Sequence, residues 1–303
     1  MAQEKVTVPE LLARKGQGPK ICAVTAYDAT FARLLDQAHV DVLLIGDSLG
    51  MVIKGELNTL GVTLEEICYH ARSVARTRPR AHICGDLPFL SYQTSVERAV
   101  ESAGKLLQLG GCESVKLEGG CHFVPHIRAM SAAGIPVMGH LGMTPQSVNM
   151  MGGFRVQGRG EAAEAKLLED ARAIAAAGVF AMVLECIPAG LAKRVSESVD
   201  VPTIGIGAGP ACDGQVLVCY DLLGLELELR PKHVRRFAEL GQAAVSAARA
   251  YVQDVRAGVF PSEAHSFAAT GGRKTAPTLP DSGETDSIPE TQAAGGGRNG
   301  ATE

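Results

Sequence analysis

The stretch Glu-Ser-Val-Lys-Leu-Glu-Gly-Gly, residues 113–120, predicts a β-strand that ends in two charged side chains. Side chains alternate between the faces of a strand, so Val115 and Leu117 point to one face and Lys116 and Glu118 to the other. A lysine and a glutamate inside a protein are costly unless they meet partners. The stretch therefore indicates either a built polar site or a solvated strand end, where such pairs contribute little.

Short apolar runs and helical patterns alternate along the chain about eight times. The predicted strands cover residues 21–26, 41–45, 81–84, 113–120, 135–139, 179–184, 202–206 and 216–220. Apolar strands separated by helices indicate a parallel sheet covered by helices. Eight such units in roughly 260 residues favour an α/β fold, a closed (β/α)8 (TIM) barrel, with an open doubly wound sheet as the alternative.

Helix-start signals occur at three places in the chain. Thr7 followed by Pro9 predicts a short N-terminal helix, and Thr63 with Glu66 forms a capping box for another helix. Pro231, at a first helical position, predicts a last long helix that runs to about residue 255.

The composition is that of a globular protein with 303 residues, 46% of them hydrophobic, and a net charge of −4. That charge gives no general attraction to nucleic acid or to an anionic membrane. Eight cysteines occur without a Cys-x-x-Cys pair, which is typical of reduced thiols in a reducing compartment. Residues 1–15 lack the apolar core of a signal peptide, and no run reaches the ~18 apolar residues of a membrane span. We therefore expect a cytoplasmic protein.

The composition changes after Phe267 to Gly, Thr, Pro, Ser and acidic residues, with hardly any apolar ones. Such a segment cannot bury enough apolar surface to fold. We therefore expect two parts, a catalytic barrel over residues 1–267 and a disordered C-terminal tail over residues 268–303.

Several other predicted strands also end in titratable residues, namely Asp47, Asp86, His140 and Glu185. In a barrel of parallel strands, the carboxyl ends of the strands form the active-site face. Carboxylates that converge there would raise each other's pKa, and a divalent cation offsets this repulsion. All-oxygen ligands favour Mg²⁺, whereas a zinc site would need a His/Cys cluster with ligand spacing. Taken alone, an acid after a strand is more often a helix cap or a loop residue, and His140 is equally compatible with a purely hydrogen-bonding role.

Eight short motifs occur one after another along residues 6–267. They are Gly46-Asp-Ser-Leu-Gly-Met51, Asp86-Leu-Pro-Phe89, Val115-Lys-Leu-Glu-Gly-Gly120, Gly139-His-Leu-Gly142, Thr144-Pro-Gln-Ser-Val-Asn149, Val156-Gln-Gly-Arg159, Leu184-Glu-Cys186 and Ile204-Gly-Ile-Gly-Ala-Gly209. Together they resemble the ketopantoate hydroxymethyltransferase family. The resemblance implies transfer of a hydroxymethyl group from methylenetetrahydrofolate to 3-methyl-2-oxobutanoate, the first step towards pantothenate. It also implies Mg²⁺ as cofactor and a cytoplasmic homodecamer.

The resemblance also implies a role for each strand-end residue. The residues expected to hold Mg²⁺ are Asp47, Asp86 and Glu118, the last directly or through water. The residues expected to contact the keto acid are Asp47, Ser48, Asp86, Lys116 and His140. Glu185 is expected to be the general base that takes the proton next to the ketone.

The chemistry of a 2-oxo acid agrees with these roles. Its keto and carboxylate oxygens chelate Mg²⁺, while Lys116 neutralises the carboxylate. Positive charge at the keto oxygen stabilises the enolate that forms when Glu185 removes the neighbouring proton. Because water would reprotonate a free enolate, we expect the glycine-rich segment 141–160 to close over the site as a lid.

The sequence departs from the family at two places. Residues 224–234 carry acids and His233 where the family usually has aromatic residues, and Ala264 replaces a glutamate. Neither change touches the predicted metal or keto-acid residues. Both bear on folate or subunit contacts near the eighth strand.

Two alternative functions remain open at this point. One is a Mg²⁺-dependent C–C bond lyase of the isocitrate lyase and phosphoenolpyruvate mutase type, but those enzymes carry a Lys-Lys-Cys-Gly loop that this sequence lacks. The other is a non-catalytic metabolite-binding barrel, which would be expected to lose the base or a metal carboxylate.

Overall fold

The computed structural model describes residues 4–227 and 231–267 of the chain. In this part, eight parallel strands pair in sequence order and close into a barrel, since β8 pairs with β1. The strands are β1 (Ile21–Thr25), β2 (Val42–Ile45), β3 (His82–Asp86), β4 (Ser114–Glu118), β5 (Val137–Gly142), β6 (Ala181–Glu185), β7 (Thr203–Ile206) and β8 (Gly214–Leu217). The predicted (β/α)8 (TIM) barrel is confirmed, and the open sheet is excluded.

Helices connect most of the strands. They are α1 (Val8–Ala13), α2 (Ala29–Gln37), α3 (Leu49–Val52), α4 (Leu64–Ala75), α5 (Val96–Gly110), α6 (Val124–Ala132), α7 (Val148–Met151), α8 (Glu161–Ala177), α9 (Ala189–Glu197), α10 (Cys219–Leu223) and α11 (Leu240–Arg256). Short 3₁₀ turns lie at Cys121–Phe123, Pro145–Ser147 and Glu263–His265. None of the helices in the described ranges has the length and apolar character needed to cross a membrane.

Strand β4 shows the predicted alternation of side chains. Val115 and Leu117 are fully buried in the apolar cluster between the barrel and its helices. Burial of a leucine of this kind contributes roughly 2 kcal/mol to stability. Lys116 and Glu118 belong to the opposite face and are only 4% and 3% exposed. The alternative of a solvated strand end is therefore wrong.

The interior of the barrel changes from apolar to polar along the strands. The inward positions of β3 are Cys84 and then Asp86, and those of β5 are Met138 and then His140. Cys84 and Met138 pack in an apolar cluster with residues from the other strands and with Leu11 of α1. This cluster fills the amino-terminal half of the barrel and leaves the polar residues at its carboxyl end.

The predicted helix caps are confirmed. Thr7 forms a capping box with Glu10 at the start of α1, and Thr63 forms one with Glu66 at the start of α4. These side chains satisfy backbone N–H groups that have no partner within the first turn of a helix.

Strand β8 begins and ends earlier than the predicted range 216–220. Its first residue, Gly214, lies so close to β1 that a Cβ atom there would be 2.4 Å from the carbonyl oxygen of Ile21. The chain turns into α10 at Cys219, whose backbone N–H donates to Thr25 Oγ1 at 3.0 Å. The predicted range was wrong because it began at the first apolar residue, whereas the strand begins two residues earlier, at a glycine.

The predicted start of the last helix at Pro231 is also wrong, since α11 begins at Leu240. The Pro231 carbonyl accepts a hydrogen bond from the Val234 N–H in a single turn. Further along, the Phe237 N–H donates to the Leu222 carbonyl at 2.9 Å. That bond directs the chain to the end of α10 instead of into a helix.

The chain divides into two compact units after residue 247. The first contains the barrel. In the described part of the second, the Phe260 ring packs against the rings of Tyr251 and His265, with centroid distances of 5.6 and 5.0 Å. The predicted domain boundary at residue 267 stays a prediction, and the predicted disordered tail, 268–303, lies outside the described residues.

Candidate active site

The residues predicted for the site come together at the carboxyl end of the barrel. Asp47 follows β2, whereas the others lie on the last residues of their strands or close to them: Asp86, Lys116, Glu118, His140 and Glu185. All of these except Glu185 are at most 4% exposed, and the Glu185 side chain is 18% exposed. Pairing of neighbouring strands places Asp86 beside Lys116 and Glu118 beside His140.

A line of close polar contacts crosses the site from β3 to β6. Lys116 Nζ lies 3.0 Å from Asp86 Oδ1 and 3.4 Å from His140 Nδ1. On the other side, His140 Nε2 lies 3.3 Å from Glu185 Oε2, and its Nδ1 lies 3.5 Å from Glu118 Oε1. His140 therefore connects the Asp86–Lys116 ion pair to the carboxylate predicted to be the base.

The charges of the site change the pKa values of its groups. Burial, and then repulsion from Asp86 and Glu118, raises the pKa of the Asp47 carboxyl well above its usual range. Burial also raises the pKa of Asp86, although the Lys116 ammonium opposes the rise. Burial and Lys116 disfavour a charged His140, but its contacts with Glu118 and Glu185 outweigh them and raise its pKa to about 9. The site thus holds an excess of carboxylate charge that a cation would offset.

The donor atoms available to such a cation are carboxylate oxygens. Buried Glu118 Oε1 accepts no hydrogen bond from the described residues, although His140 Nδ1 lies 3.5 Å away. Within the same ranges, no group of three or more His, Cys, Asp or Glu side chains is preassembled around a metal position. Oxygen donors that leave room for water and substrate suit a hard ion such as Mg²⁺.

The turn after β2 places Ser48 beside this group. The Asp47 N–H donates to Asp86 Oδ2 at 3.0 Å, and a Cβ atom at Gly46 would lie 2.9 Å from Ser48 Oγ. Ser48 Oγ is 2.8 Å from the Tyr27 hydroxyl. Because the glycine has no side chain, the turn packs closely enough to orient Asp47 and Ser48 towards Asp86.

Two buried residues of the site were not among the predicted ones, Gln146 and Tyr92. Gln146 Nε2 donates to Asp47 Oδ2 at 2.8 Å, and the Gln146 N–H donates to Glu118 Oε2 at 3.0 Å. The Tyr92 hydroxyl lies 2.9 Å from the Glu118 carbonyl oxygen. Both residues lie in loops, where no periodicity indicates burial. The available signal was the position of Gln146 in a recognised motif directly after Pro145.

The segment 141–160 begins and ends at the site. A Cβ atom at Gly142 would be 2.3 Å from the carbonyl oxygen of Glu185, so only glycine allows this approach of β5 to β6. At the far end, the Gln157 N–H donates to the Cys186 carbonyl oxygen at 2.9 Å. Between them, Met150 and Phe154 are 85% and 55% exposed. The predicted lid therefore has exposed apolar side chains, and its closure stays a prediction.

His233, where the sequence departs from the family, also lies beside the barrel mouth. Its Nδ1 is 4.0 Å from Cys186 Sγ, and its ring packs against Gly207. Cys186 directly follows Glu185 and has a left-handed backbone conformation, with φ of 46°. The departure therefore adjoins the predicted base without contacting the predicted metal carboxylates.

The fold is shared with solved enzymes of low sequence similarity. One is phosphonopyruvate hydrolase in complex with oxalate and Mg²⁺, with a TM-score of 0.56 over 85% of this chain and 92% of that one. The two sequences are 14% identical, so this likeness concerns the barrel alone.

Sequence relatives are far closer. A model of the ketopantoate hydroxymethyltransferase family matches residues 5–263. The 3-methyl-2-oxobutanoate hydroxymethyltransferase of Moorella thermoacetica is 55% identical over 268 residues, which cover 88% of this chain and all of that protein. The protein of the same name from Anaeromyxobacter sp. strain Fw109-5 is 54% identical over 288 residues, with coverage of 93% and 94%. The chain therefore belongs to the ketopantoate hydroxymethyltransferase family and is an enzyme of this type.

Proposed function

We propose that this enzyme transfers a hydroxymethyl group from methylenetetrahydrofolate to 3-methyl-2-oxobutanoate and forms 2-dehydropantoate, in the first step of pantothenate biosynthesis. The observation that carries the proposal is the convergence of three buried carboxylates, a buried lysine and the more accessible Glu185 at one end of the barrel. This set can bind a 2-oxo acid, hold a cation beside it and remove a proton from it.

Mg²⁺ is the proposed cofactor, held by Asp47 and Asp86, with Glu118 acting directly or through water. The pKa of Asp47 is raised by burial and by its carboxylate neighbours, which is the situation that a bound cation relieves. Glu118 Oε1 is buried and accepts no hydrogen bond from the described residues. When bound, the cation would supply positive charge beside the keto oxygen.

Lys116 would bind the carboxylate of the keto acid. Its ammonium group is buried and is already held 3.0 Å from Asp86 Oδ1. His140 lies between Lys116 and Glu185 and would orient both groups towards the substrate. Partly exposed Ser48, next to Asp47, would complete the binding surface. A charged substrate group is bound strongly here because few waters compete for these donors.

Glu185 would act as the general base. Its carboxylate takes the proton from C3 of the keto acid, and the C–H electron pair forms the enolate. C3 then bonds to the methylene carbon of the folate while that carbon's bonds to the two folate nitrogens break, and water supplies the hydroxyl oxygen. Three protons are redistributed, one from C3 and two from water. One ends on the new hydroxyl group and one on each of the two folate nitrogens.

The segment 141–160 would shield the enolate from bulk water until it bonds to the methylene carbon. Its exposed Met150 and Phe154 can cover the mouth of the barrel, while Gln146 and Gln157 keep its two ends at the site. Exclusion of water protects the enolate from reprotonation. From family membership we also propose a cytoplasmic homo-oligomer, a decamer.

A product assay tests this function. The purified full-length protein is incubated with 3-methyl-2-oxobutanoate, ¹³C-labelled methylenetetrahydrofolate and Mg²⁺, and 2-dehydropantoate is followed by mass spectrometry. We expect labelled product with Mg²⁺ and none with EDTA. Absence of product from folded, Mg²⁺-binding protein, together with cleavage of isocitrate, would instead support the lyase alternative.

A further inference from the structure

Gln146 makes an unusual set of contacts for a neutral loop residue. It follows β5 in the Pro145–Ser147 turn and is 6% exposed. Its side-chain Nε2 donates to Asp47 Oδ2 at 2.8 Å and to the Leu87 carbonyl oxygen at 2.9 Å. Both amide hydrogens are therefore used, one of them on a carboxylate predicted to hold the cation.

The orientation of this amide is determined by its surroundings. Its Oε1 lies 3.1 Å from the Tyr92 hydroxyl and 2.9 Å from Gln93 Nε2, which is a donor. A flipped amide would place Oε1 against the Leu87 carbonyl oxygen and two amino groups against each other. The amide nitrogen of Gln146 therefore faces Asp47 and the Leu87 carbonyl oxygen, and the flipped orientation is disfavoured.

The same residue also binds a second carboxylate. The Gln146 backbone N–H donates to Glu118 Oε2 at 3.0 Å. Gln146 thus donates one hydrogen bond to Oδ2 of Asp47 and one to Oε2 of Glu118. Glu118 Oε1, the oxygen that remains, is buried and accepts no hydrogen bond from the described residues, although His140 Nδ1 lies 3.5 Å away. Side chains that orient metal-binding carboxylates in this way determine which oxygen each one presents.

We propose that Gln146 is a positioning residue that selects the oxygen of Asp47 and of Glu118 that faces the cation. The inference rests on the proposed function, since it needs a divalent ion at this site. With Oδ2 of Asp47 and Oε2 of Glu118 each bound by an N–H group, the other oxygen of each carboxylate is the one favoured to face the cation. The arrangement also holds two repelling carboxylates in place before the ion arrives.

Binding of Mn²⁺, used in place of Mg²⁺, tests this role without measuring turnover. Metal-free full-length protein is titrated with Mn²⁺, and free Mn²⁺ is followed by electron paramagnetic resonance. Gln146→Met keeps the volume and the backbone N–H but removes the donor to Asp47. We expect the Kd for Mn²⁺ to rise about 10- to 100-fold, as for other residues that orient metal ligands. The resonance of bound Mn²⁺ should also change, because the geometry of the carboxylates changes.

Gln93→Met is the matched control, since it removes the donor that lies 2.9 Å from the same amide oxygen, at a partly exposed residue outside the predicted metal and keto-acid residues. Its Kd should change less than about threefold. If Gln146→Met does not fold, Gln146→Asn retains a polar amide that is one methylene too short to reach Asp47, and the same weakening is expected. Equal Kd values for a folded Gln146 variant and the wild type would overturn the inference. A wild-type protein that binds no Mn²⁺ would overturn the proposed function itself.

Discussion

Lys116 shows why charged residues can be buried in this barrel. It is 4% exposed, and its ammonium group lies 3.0 Å from Asp86 Oδ1. Burial lowers the pKa of Lys116, but Asp86 and the other carboxylates outweigh this effect and raise it. A buried pair that loses one member leaves an uncompensated charge, which costs about 3–5 kcal/mol. The pair is better explained by binding of a charged substrate than by stability.

Glu118→Gln tests the predicted metal site at this scale. Glutamine keeps the volume and one oxygen that can accept the Gln146 N–H, but it removes the charge. We expect the Mg²⁺ concentration for half-maximal product formation to rise about 10-fold or more, because a weaker ligand set binds the ion less tightly. The measurement is the product assay at a series of Mg²⁺ concentrations.

Glu113→Gln is the control for that variant. Glu113 precedes the same strand at its other end, and its half-exposed side chain pairs with Lys5 2.9 Å away. Its Mg²⁺ dependence should equal that of the wild type. An unchanged Mg²⁺ dependence in Glu118→Gln as well would remove Glu118 from the metal site.

The acidic residues of the site could be predicted because each one lies at a strand end, where the position along the chain fixes the position in the barrel. Asp47, Asp86 and Glu185 are of this kind. Gln146 could not, since it is neutral and lies in a turn. Its contact with Asp47 joins residues 99 positions apart, and no local pattern carries that information.

At the scale of elements, all eight predicted strands were present, but the predicted positions of their ends were less accurate. Strand β3 extends to Asp86 because that residue pairs with Lys116, and β5 extends to Gly142 because it pairs with Glu185. Pairing register depends on the neighbouring strand, which local composition does not show. The same limit applies to β8, where Gly214 begins the strand through its close approach to β1.

Strand β3 also carries a buried histidine at its amino-terminal end, and it should make stability depend on pH. His82 is 2% exposed, and its Nε2 lies 2.8 Å from Ser114 Oγ. Burial lowers its pKa from 6.5 to about 4, against the attraction of Glu113. The unfolded chain therefore binds the proton between these two values while the folded chain does not. Proton binding by the unfolded chain therefore lowers the free energy of unfolding as the pH falls from about 6.5 towards 4. Above about pH 6.5 this loss of stability is absent.

Urea unfolding at pH 7 and pH 4.5 measures this effect. Between these values the contribution of His82 to the free energy of unfolding should fall by on the order of 2 kcal/mol. His82→Gln cannot titrate, so it should lose that much less stability than the wild type over the same interval. Equal losses in the two proteins would contradict a buried neutral His82.

At the scale of the whole molecule, closure of the barrel is what makes one site out of distant residues. The strands pair in sequence order, and the last pairs with the first, so the ends of β2 to β6 surround a common space. The apolar cluster fills the other half of the barrel and leaves this end for chemistry. Closure of the barrel could be predicted from the count of strand–helix units. The start of the last helix could not, since it begins at Leu240 and not at Pro231.

In the proposed mechanism, Glu185 removes the C3 proton of a 2-oxo acid at this barrel mouth. Proton NMR of 3-methyl-2-oxobutanoate in D₂O tests it most directly, with the protein and Mg²⁺ and then with EDTA. We predict that the C3 proton signal disappears with Mg²⁺ and persists with EDTA. In Glu185→Gln the exchange should be slower by about 10²- to 10⁴-fold, the usual contribution of a general base. Exchange as fast in Glu185→Gln as in the wild type, or no exchange even with tetrahydrofolate present, would contradict the account.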